Sequence, residues 1–187
     1  MEKIETNLKD CYILKPNVFS DDRGYFKPII VSELKELGFK ELVQINESCS
    51  VKGTIRGLHF QKNPYSQAKV VRCISGSVLD VVVDLRVNSP SYKKWTSVLL
   101  TPDNHQMLFV PRGFAHGFVA LEDNTKFEYY IDNDYHKESE AGIIWNDKDI
   151  NIDWEFSKYG IENPIFSEKD KIHPTVKESP KYFEEVM

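Results

Sequence analysis

Residues 77–85, with the sequence SVLDVVVDL, decide the fold. In an extended strand successive side chains point to opposite faces of the sheet. One face of this run is purely apolar and carries Leu79, Val81, Val83 and Leu85. The other face places two carboxylates among valines, namely Val78, Asp80, Val82 and Asp84. The run therefore predicts a strand in a double-sheet barrel whose interior is part core and part ligand cavity.

Short β-branched and aromatic runs of the same kind occupy much of the chain. They predict strands over residues 12–14, 29–31, 43–46, 70–74, 78–85, 95–100, 107–110, 117–121 and 127–131. Turn-forming sequences separate these runs. Helical periodicity is scarce, and the best helix candidate covers residues 32–38, where Ser32 can cap the helix and Gly38 can end it. The sequence therefore predicts an all-β sandwich or barrel with short peripheral helices.

The length of 187 residues suits one domain, and the sequence contains no internal repeat or low-complexity segment. From Pro164 onward the chain becomes rich in Lys and Glu and poor in strand patterns, which predicts a helical or irregular C-terminal tail. We expect a single domain over residues 1–187.

Charge and composition limit the partners. The chain has 24 Lys and Arg against 29 Asp and Glu, a net charge of −5, so it lacks the positive field that would hold a nucleic acid or an anionic membrane. It shows no signal peptide and no apolar run of about 20 residues. Its three cysteines are widely spaced and form no CxxC pair, which argues against a disulfide framework. We expect a cytoplasmic protein that binds phosphate, if at all, through local cations.

The window over residues 53–69 is the richest in chemistry. It places two cations, Arg56 and Lys69, and one titratable base, His59, around Gly57, where a glycine permits close backbone approach or a bulge. A histidine flanked by two apolar residues is more often structural than catalytic. The nearby cations make a catalytic role for His59 a real alternative.

Three further sets of residues have a structural interpretation, and a catalytic role for them would depend on residues elsewhere in the fold. His116 and Asp80 are compatible either with a carboxylate-oriented imidazole or with a hydrogen-bonded core pair. Tyr129 either packs in a strand or donates a proton. An acidic residue three positions after a serine is typical of helix capping, which is the local interpretation of Ser167 and Asp170.

Motifs for metals and cofactors are missing from the sequence. There is no HxH pair, and His59, His105 and His116 lie in separate segments without a glutamate at a recognisable offset, so we expect no metal. There is also no GxGxxG, P-loop or GxSxG motif. The expected chemistry is therefore carried by side chains.

Seven blocks in order along nearly the whole chain resemble the dTDP-4-dehydrorhamnose 3,5-epimerase family. They are residues 19–26 (FSDDRGYF), 56–61 (RGLHFQ), 67–72 (QAKVVR), 80–86 (DVVVDLR), 89–95 (SPSYKKW), 111–118 (PRGFAHGF) and 144–154. The resemblance implies a cupin-like double-stranded β-helix, or jelly roll, that forms a homodimer and works without metal or organic cofactor. It implies a substrate in which a 4-keto-6-deoxy sugar is linked to a nucleotide, with dTDP as the first choice.

The resemblance also assigns roles residue by residue. The general base matches His59 and its orienting carboxylate matches Asp170, which would replace the capping interpretation. The proton-donating tyrosine matches Tyr129, and the cation near the sugar ketone matches Lys69. Further substrate-binding positions, some reaching across from the partner subunit, are Arg23, Phe26, Gln44, Asn46, Arg56 and His116.

Two positions depart from the family pattern. Pro28 stands where the family commonly has a glutamate that helps hold the base, and Asp134-Tyr135 replaces two adjacent tyrosines. The implied activity is epimerisation at carbons 3 and 5 of the keto sugar through an enolate. A 3-epimerase acting at one carbon and a non-catalytic module that binds sugar nucleotides are the alternatives.

Overall fold

Alternating apolar sequence forms strands throughout the computed structural model, which describes residues 1–29 and 31–184. In chain order the strands are β1 (Glu2–Glu5), β2 (Tyr12–Lys15), β3 (Phe19–Asp21), β4 (Gly24–Phe26), β5 (Gln44–Ser50), β6 (Ile55–Gln61), β7 (Lys69–Ser75), β8 (Val78–Asp84), β9 (Trp95–Leu100), β10 (Met107–Val110), β11 (Phe114–Ala120), β12 (Thr125–Ile131) and β13 (Glu140–Gly142). The helices are α1 (Val31–Lys35) and a 3-10 turn over Lys137–Ser139.

The strands form two antiparallel sheets and a separate hairpin. One sheet has the order β1-β2-β10-β7-β12-β5 and the other has the order β13-β6-β11-β8-β9, while within the described part of the chain β3 and β4 pair only with each other. Every strand-to-strand pairing in the two sheets is antiparallel. The expectation of an all-β, double-sheet architecture is confirmed.

Strand β8 shows how the two sheets share the core. Its valines at 78 and 82 belong to a buried cluster with side chains of both sheets, including Val71, Phe118 and Phe127. Its opposite face, with Leu79, Val81 and Val83, packs instead with Trp154 and with Phe183 of the C-terminal segment. The sequence assignment of the two faces is therefore correct, and the carboxylate-bearing face points into the barrel.

The predicted helix is present but short. It covers Val31–Lys35, and the chain then turns to Gly38, whose φ of 94° is in the left-handed region that favours glycine. The helix buries Leu34 against the outer face of the six-stranded sheet. The strand predicted over residues 29–31 is wrong at both ends, because Ile29 has no regular structure and Val31 begins the helix. Residue 30 lies outside the described residues.

Gly57 brings β6 and β11 unusually close together. Its φ is 132°, and a Cβ added there would lie 2.5 Å from Gly117 Cα and 2.8 Å from the carbonyl oxygen of His116. The register of the pairing shifts between His116 and Phe118. Of the two alternatives, the close backbone approach is confirmed, and it lies within two residues of His59.

The C-terminal segment is irregular, as the sequence predicted, but it is a covering layer rather than a loose tail. Ile165 bridges to Thr54 and Phe183 bridges to Arg86, and the Phe183 side chain is buried. None of the helices in the described part of the chain has the length and apolar character that crossing a membrane requires.

Candidate active site

A cavity of about 530 Å³ opens between the two sheets. It is lined by Gln44, Asn46, Ser48, Arg56, His59, Phe60, Gln61, Gln67, Lys69, His116, Phe118, Tyr129, Ile131, Tyr135, Glu140, Ser167, Lys169 and Asp170. A larger cleft of about 700 Å³ lies over residues 145–158 and contains none of the predicted site residues. We place the candidate site in the smaller cavity because the titratable groups converge there.

His59 and Asp170 form a hydrogen-bonded pair, although 111 positions separate them in sequence. His59 sits on β6 with its Nε2 bonded to Asp170 Oδ1, while Ser167 Oγ donates to Asp170 Oδ2 at 2.9 Å. Burial alone would raise the pKa of Asp170, but the bond and charge of His59 and the Ser167 hydroxyl bring it below its usual value. An ionised Asp170 holds the proton of His59 on Nε2, which leaves Nδ1 as the basic nitrogen.

The capping interpretation of Ser167 and Asp170 describes only part of what they do. The Asp170 backbone N–H does donate to Ser167 Oγ, at 3.2 Å, as in a cap. The same carboxylate is almost fully buried and also reaches His59. The turn at Ser167 therefore orients the Asp170 carboxylate, and this carboxylate in turn orients His59.

His116 lies directly across from His59 in the pairing of β6 with β11. Its Nε2 is 2.8 Å from Asp80 Oδ2, and both side chains are buried. Burial raises the pKa of Asp80, while His116 and Lys69 act in the opposite direction. The expected contact between His116 and Asp80 is confirmed, and it places a second imidazole on the cavity wall.

Lys69 is the buried cation of the site. It begins β7 on the six-stranded sheet and is 9% exposed. Burial lowers the pKa of its ammonium to about 8, although Asp80 and Glu140 favour the charged form. A cation held in such a dry site interacts strongly with any negative charge that develops beside it.

Tyr129 is on β12, in the sheet opposite to His59. It pairs with Asn46 on β5, and alternation along β5 turns Gln44, Asn46 and Ser48 toward the same cavity. Burial raises the pKa of the Tyr129 phenol, against the effect of Arg56. The phenol therefore keeps its proton at neutral pH and is able to donate it.

The substrate-binding residues predicted from the resemblance divide into two groups. Gln44, Asn46, Arg56 and His116 line the cavity. Arg23 and Phe26 do not, because they lie on the hairpin formed by β3 and β4. The Arg23 side chain is 90% exposed and pairs with Asp21, and Phe26 is 67% exposed.

Several cavity residues were missed by the sequence analysis. Ser48 could have been found, because it continues the two-residue alternation of Gln44 and Asn46. Glu140 and Lys169 form an ion pair at the cavity wall, where Tyr135, already noted as a departure from the family pattern, donates a hydrogen bond to Glu140 at 3.1 Å. No local pattern marks Glu140 or Lys169, since they meet only through the fold.

His173 was also missed by the sequence analysis. This residue matters because the expectation of no metal was based on the spacing of the other histidines. Its ring packs edge-on against His59, and its Nε2 lies 3.7 Å from Asp170 Oδ1. The ligand atoms of His59, Asp170 and His173 all lie within 4.8 Å of one another, so the fold assembles a possible metal ligand set that the histidine spacing did not reveal. Burial, and then the charge of His59, lower the pKa of His173.

Proton transfer to and from carbon needs a base, an acid and a group that stabilises charge around one substrate. This barrel brings groups suited to all three tasks to the walls of one cavity, which defines an acid–base enzyme on a cupin-like fold. A family model described as dTDP-4-dehydrorhamnose 3,5-epimerase matches residues 5–178. The chain belongs to that family.

Individual relatives agree with this assignment. The chain is 50% identical over 157 residues to the dTDP-4-dehydrorhamnose 3,5-epimerase of Escherichia coli, covering 82% of this chain and 85% of the relative. The enzyme of Bacillus anthracis, solved with TDP and PPi bound, superposes with a TM-score of 0.86 at 44% identity, covering 93% of this chain and 98% of that chain.

A third relative was solved with a sugar nucleotide. The dTDP-6-deoxy-D-glucose-3,5-epimerase of Legionella pneumophila, in complex with dTDP-4-keto-L-rhamnose, gives a TM-score of 0.92 at 33% identity. That match covers 100% of this chain and 99% of that chain. The cupin-like fold predicted from the sequence is confirmed.

Proposed function

We propose that the protein epimerises carbons 3 and 5 of a 4-keto-6-deoxy sugar linked to a nucleotide, converting dTDP-4-dehydro-6-deoxyglucose into dTDP-4-dehydrorhamnose. The observation that carries this proposal is that His59, bonded to Asp170 of the C-terminal segment, lies on one sheet and Tyr129 on the other, around one cavity. Inversion at carbon requires a base and an acid on opposite sides of the sugar. Membership of the epimerase family supports the same reaction.

The ketone at carbon 4 acidifies the protons on its neighbours, carbons 3 and 5. In the proposed reaction His59 Nδ1 removes such a proton, because its Nε2 is already held by Asp170. The carboxylate keeps the imidazole in the required tautomer and stabilises the imidazolium that forms. The electrons of the broken C–H bond move into the carbonyl group, which becomes an enolate.

Lys69 stabilises the enolate oxygen in this mechanism. Its ammonium is buried, and at pH 7 it keeps its proton because its pKa is about 8. Loss of a donor to a developing oxyanion typically raises a barrier by about 2.7–4 kcal/mol. The role of Lys69 is electrostatic, since no covalent intermediate is required.

Tyr129 completes the inversion by protonating the opposite face of the enolate. A phenol donates a proton without bringing positive charge into the cavity. The charge of Glu140 raises the pKa of the Tyr129 phenol and that of Arg56 lowers it.

The nucleotide end of the substrate is assigned to Arg23, Phe26, Gln44, Asn46 and Arg56, with His116 nearer the sugar. Local cations are needed for a diphosphate because the chain as a whole carries a charge of −5. Solved relatives hold TDP with PPi and dTDP-4-keto-L-rhamnose, which supports a dTDP-linked substrate here. Pro28 marks the base-binding end as the part that departs from the family.

The exposed hairpin formed by β3 and β4 supports a proposal about quaternary structure. Phe19, Tyr25 and Phe26 are all more than half exposed on it. We infer that the protein is a homodimer in which this hairpin reaches the partner's cavity. The proposal also includes one domain over residues 1–187, a cytoplasmic location and catalysis without metal or organic cofactor.

The test is incubation with dTDP-4-keto-6-deoxyglucose in deuterium oxide, comparing deuterium uptake at carbons 3 and 5 with product formation. The wild type should label both carbons and form the epimer. His59→Ala should lose exchange and epimerisation together, since no enolate forms without a base. Label at carbon 3 alone would instead identify a 3-epimerase, and full binding without exchange would identify a binding module.

Two further variants separate the acid from the base. Tyr129→Phe should keep exchange and lose most inversion, because the proton then returns from the original face. Asp170→Asn should resemble a weakened His59→Ala, with a loss of about 10⁴-fold, because an amide presents the wrong tautomer. Wild-type exchange in His59→Ala would remove His59 from the base role and transfer that role to His116.

A further inference from the structure

We propose that His59, Asp170 and His173 form a Zn²⁺ site, and that a bound zinc ion inhibits the enzyme reversibly. Among the described residues these three make up the one group of histidine, cysteine and acidic side chains whose ligand atoms converge. The site is made by β6 and by the C-terminal segment that covers it. One ion per chain is therefore expected.

His173 supplies an unused ligand. Its Nε2 is buried and makes no hydrogen bond, yet it lies 3.7 Å from Asp170 Oδ1. Its ring stands at 72° to the ring of His59, with ring centres 5.5 Å apart. A lone pair held this way, beside a carboxylate and a second imidazole, is ready to bind a cation.

The backbone leaves room for the His173 ring. Gly142 pairs with His59 across β6 and β13, and a Cβ at that position would lie 2.6 Å from both Cε1 and Nε2 of His173. Any larger residue at 142 would therefore displace the imidazole from Asp170. The third ligand is thus held by packing on a paired strand.

The ligand set matches the chemistry of zinc. Two imidazoles and one carboxylate are a common three-ligand set for Zn²⁺, which binds nitrogen and oxygen at about 2.0–2.2 Å and keeps a fourth position open. The ligand atoms now lie within 4.8 Å of one another, and binding one ion would draw them closer together, since each bond is only about 2.0–2.2 Å long. The preference of Mg²⁺ and Ca²⁺ for oxygen ligands does not fit two imidazoles.

A bound zinc ion would inactivate His59 as a base by changing which of its ring nitrogens carries the proton. Zinc on His59 Nε2 displaces the proton that Asp170 holds there. A neutral imidazole with metal on Nε2 carries its proton on Nδ1, which is the nitrogen that faces the substrate in the proposed mechanism. His59 then has no lone pair with which to abstract a sugar proton.

The inhibitory part of this inference rests on the proposed function, whereas metal binding does not, so the two are measured separately. Zn²⁺ binding is measured by calorimetry on the metal-free protein, and the ligand type by the visible absorption of bound Co²⁺. The variants are His173→Ala, which removes the third ligand, and His136→Ala. His136 is a control because it lies beside Glu138, outside the cluster, and is 40% exposed.

We expect one Zn²⁺ per chain for the wild type and for His136→Ala, and an affinity at least roughly tenfold weaker for His173→Ala. Zinc should stop turnover in the wild type, and EDTA should restore it. The His173→Ala variant should remain active at zinc concentrations that inhibit the wild type completely. Equal zinc affinity in the wild type and His173→Ala would overturn the site. Tight binding that leaves wild-type turnover intact would overturn the inhibition.

Discussion

A lysine ammonium enclosed in a barrel is costly to stability, and Lys69 shows the cost in its pKa of about 8. In the unfolded chain its pKa is near the ordinary value of about 10.4, so the folded state binds its proton less tightly. The cost is fully present below pH 8 and is relieved as pH rises from 8 toward 10.4. A shift of this size corresponds to roughly 3 kcal/mol.

Lys69→Met should therefore be more stable than the wild type at pH 7 and nearly inactive. We expect the free energy of unfolding to rise by roughly 1–3 kcal/mol, with a loss in kcat of about 10²–10³-fold. Urea unfolding at pH 7 and pH 9.5 measures the first effect, and the gain should shrink at the higher pH. A variant that is both less stable and less active would show that the ammonium is well solvated or well paired.

At the scale of single residues, the sequence identified the groups that carry local chemical signals. His59, Lys69 and Arg56 stood out because a base and two cations cluster around a glycine. The contact between His59 and Asp170 could be expected only from the family resemblance, since 111 positions separate the two. His173 was missed because its environment is made entirely by tertiary packing.

The close pairing of strands β6 and β11 positions His59 opposite His116. Gly57→Ala places a Cβ 2.5 Å from Gly117 Cα in a backbone region unfavourable to alanine. We expect it to cost about 3 kcal/mol or more of unfolding free energy and to reduce activity.

Gly24→Ala is the matched control for that prediction. Gly24 has a similar φ of 126°, but a Cβ there meets nothing within 4 Å among the described atoms. It should therefore show the backbone cost alone, about 1–2 kcal/mol. Thermal unfolding of both variants separates backbone strain from the steric clash. Equal losses would mean that the close approach of β6 and β11 contributes nothing.

At the scale of elements, β-branched and aromatic runs predicted most of the longer strands, and two-residue alternation assigned the faces of β8. This pattern failed for β1, β3, β4 and β13, which are only three or four residues long. It also failed for β6, because the glycine and histidine within that strand interrupt the apolar pattern. The sequence therefore identified His59 as a candidate base without predicting the strand β6 on which it lies.

Both the core and the candidate site include residues of the C-terminal segment, which the sequence analysis predicted only as a helical or irregular tail. Its Phe183 packs on the apolar outer face of the five-stranded sheet, its Asp170 lines the cavity, and its His173 lies beside Asp170. Composition alone could not show this, because the segment packs without forming strands of its own. A single domain over residues 1–187 stays a prediction.

The proposed homodimer makes a prediction about which chain completes each cavity. Arg23 and Phe26 lie on an exposed hairpin away from their own cavity, so we expect them to serve the partner's. A His59→Ala chain and an Arg23→Ala/Phe26→Ala chain should each form weakly active or inactive homodimers. A heterodimer of the two contains one cavity with both defects and one with neither.

Co-expression of the two chains with different tags, followed by tandem purification, gives the heterodimer for assay. With the hairpin exchanged between subunits, it should regain about half of wild-type turnover, because one of the two sites in a twofold dimer is intact. If each hairpin served its own chain, both cavities would carry a defect and the heterodimer would stay as weak as the parent homodimers. Sedimentation of the wild type at micromolar concentration provides the second measurement, and a fully active monomer would contradict the exchange.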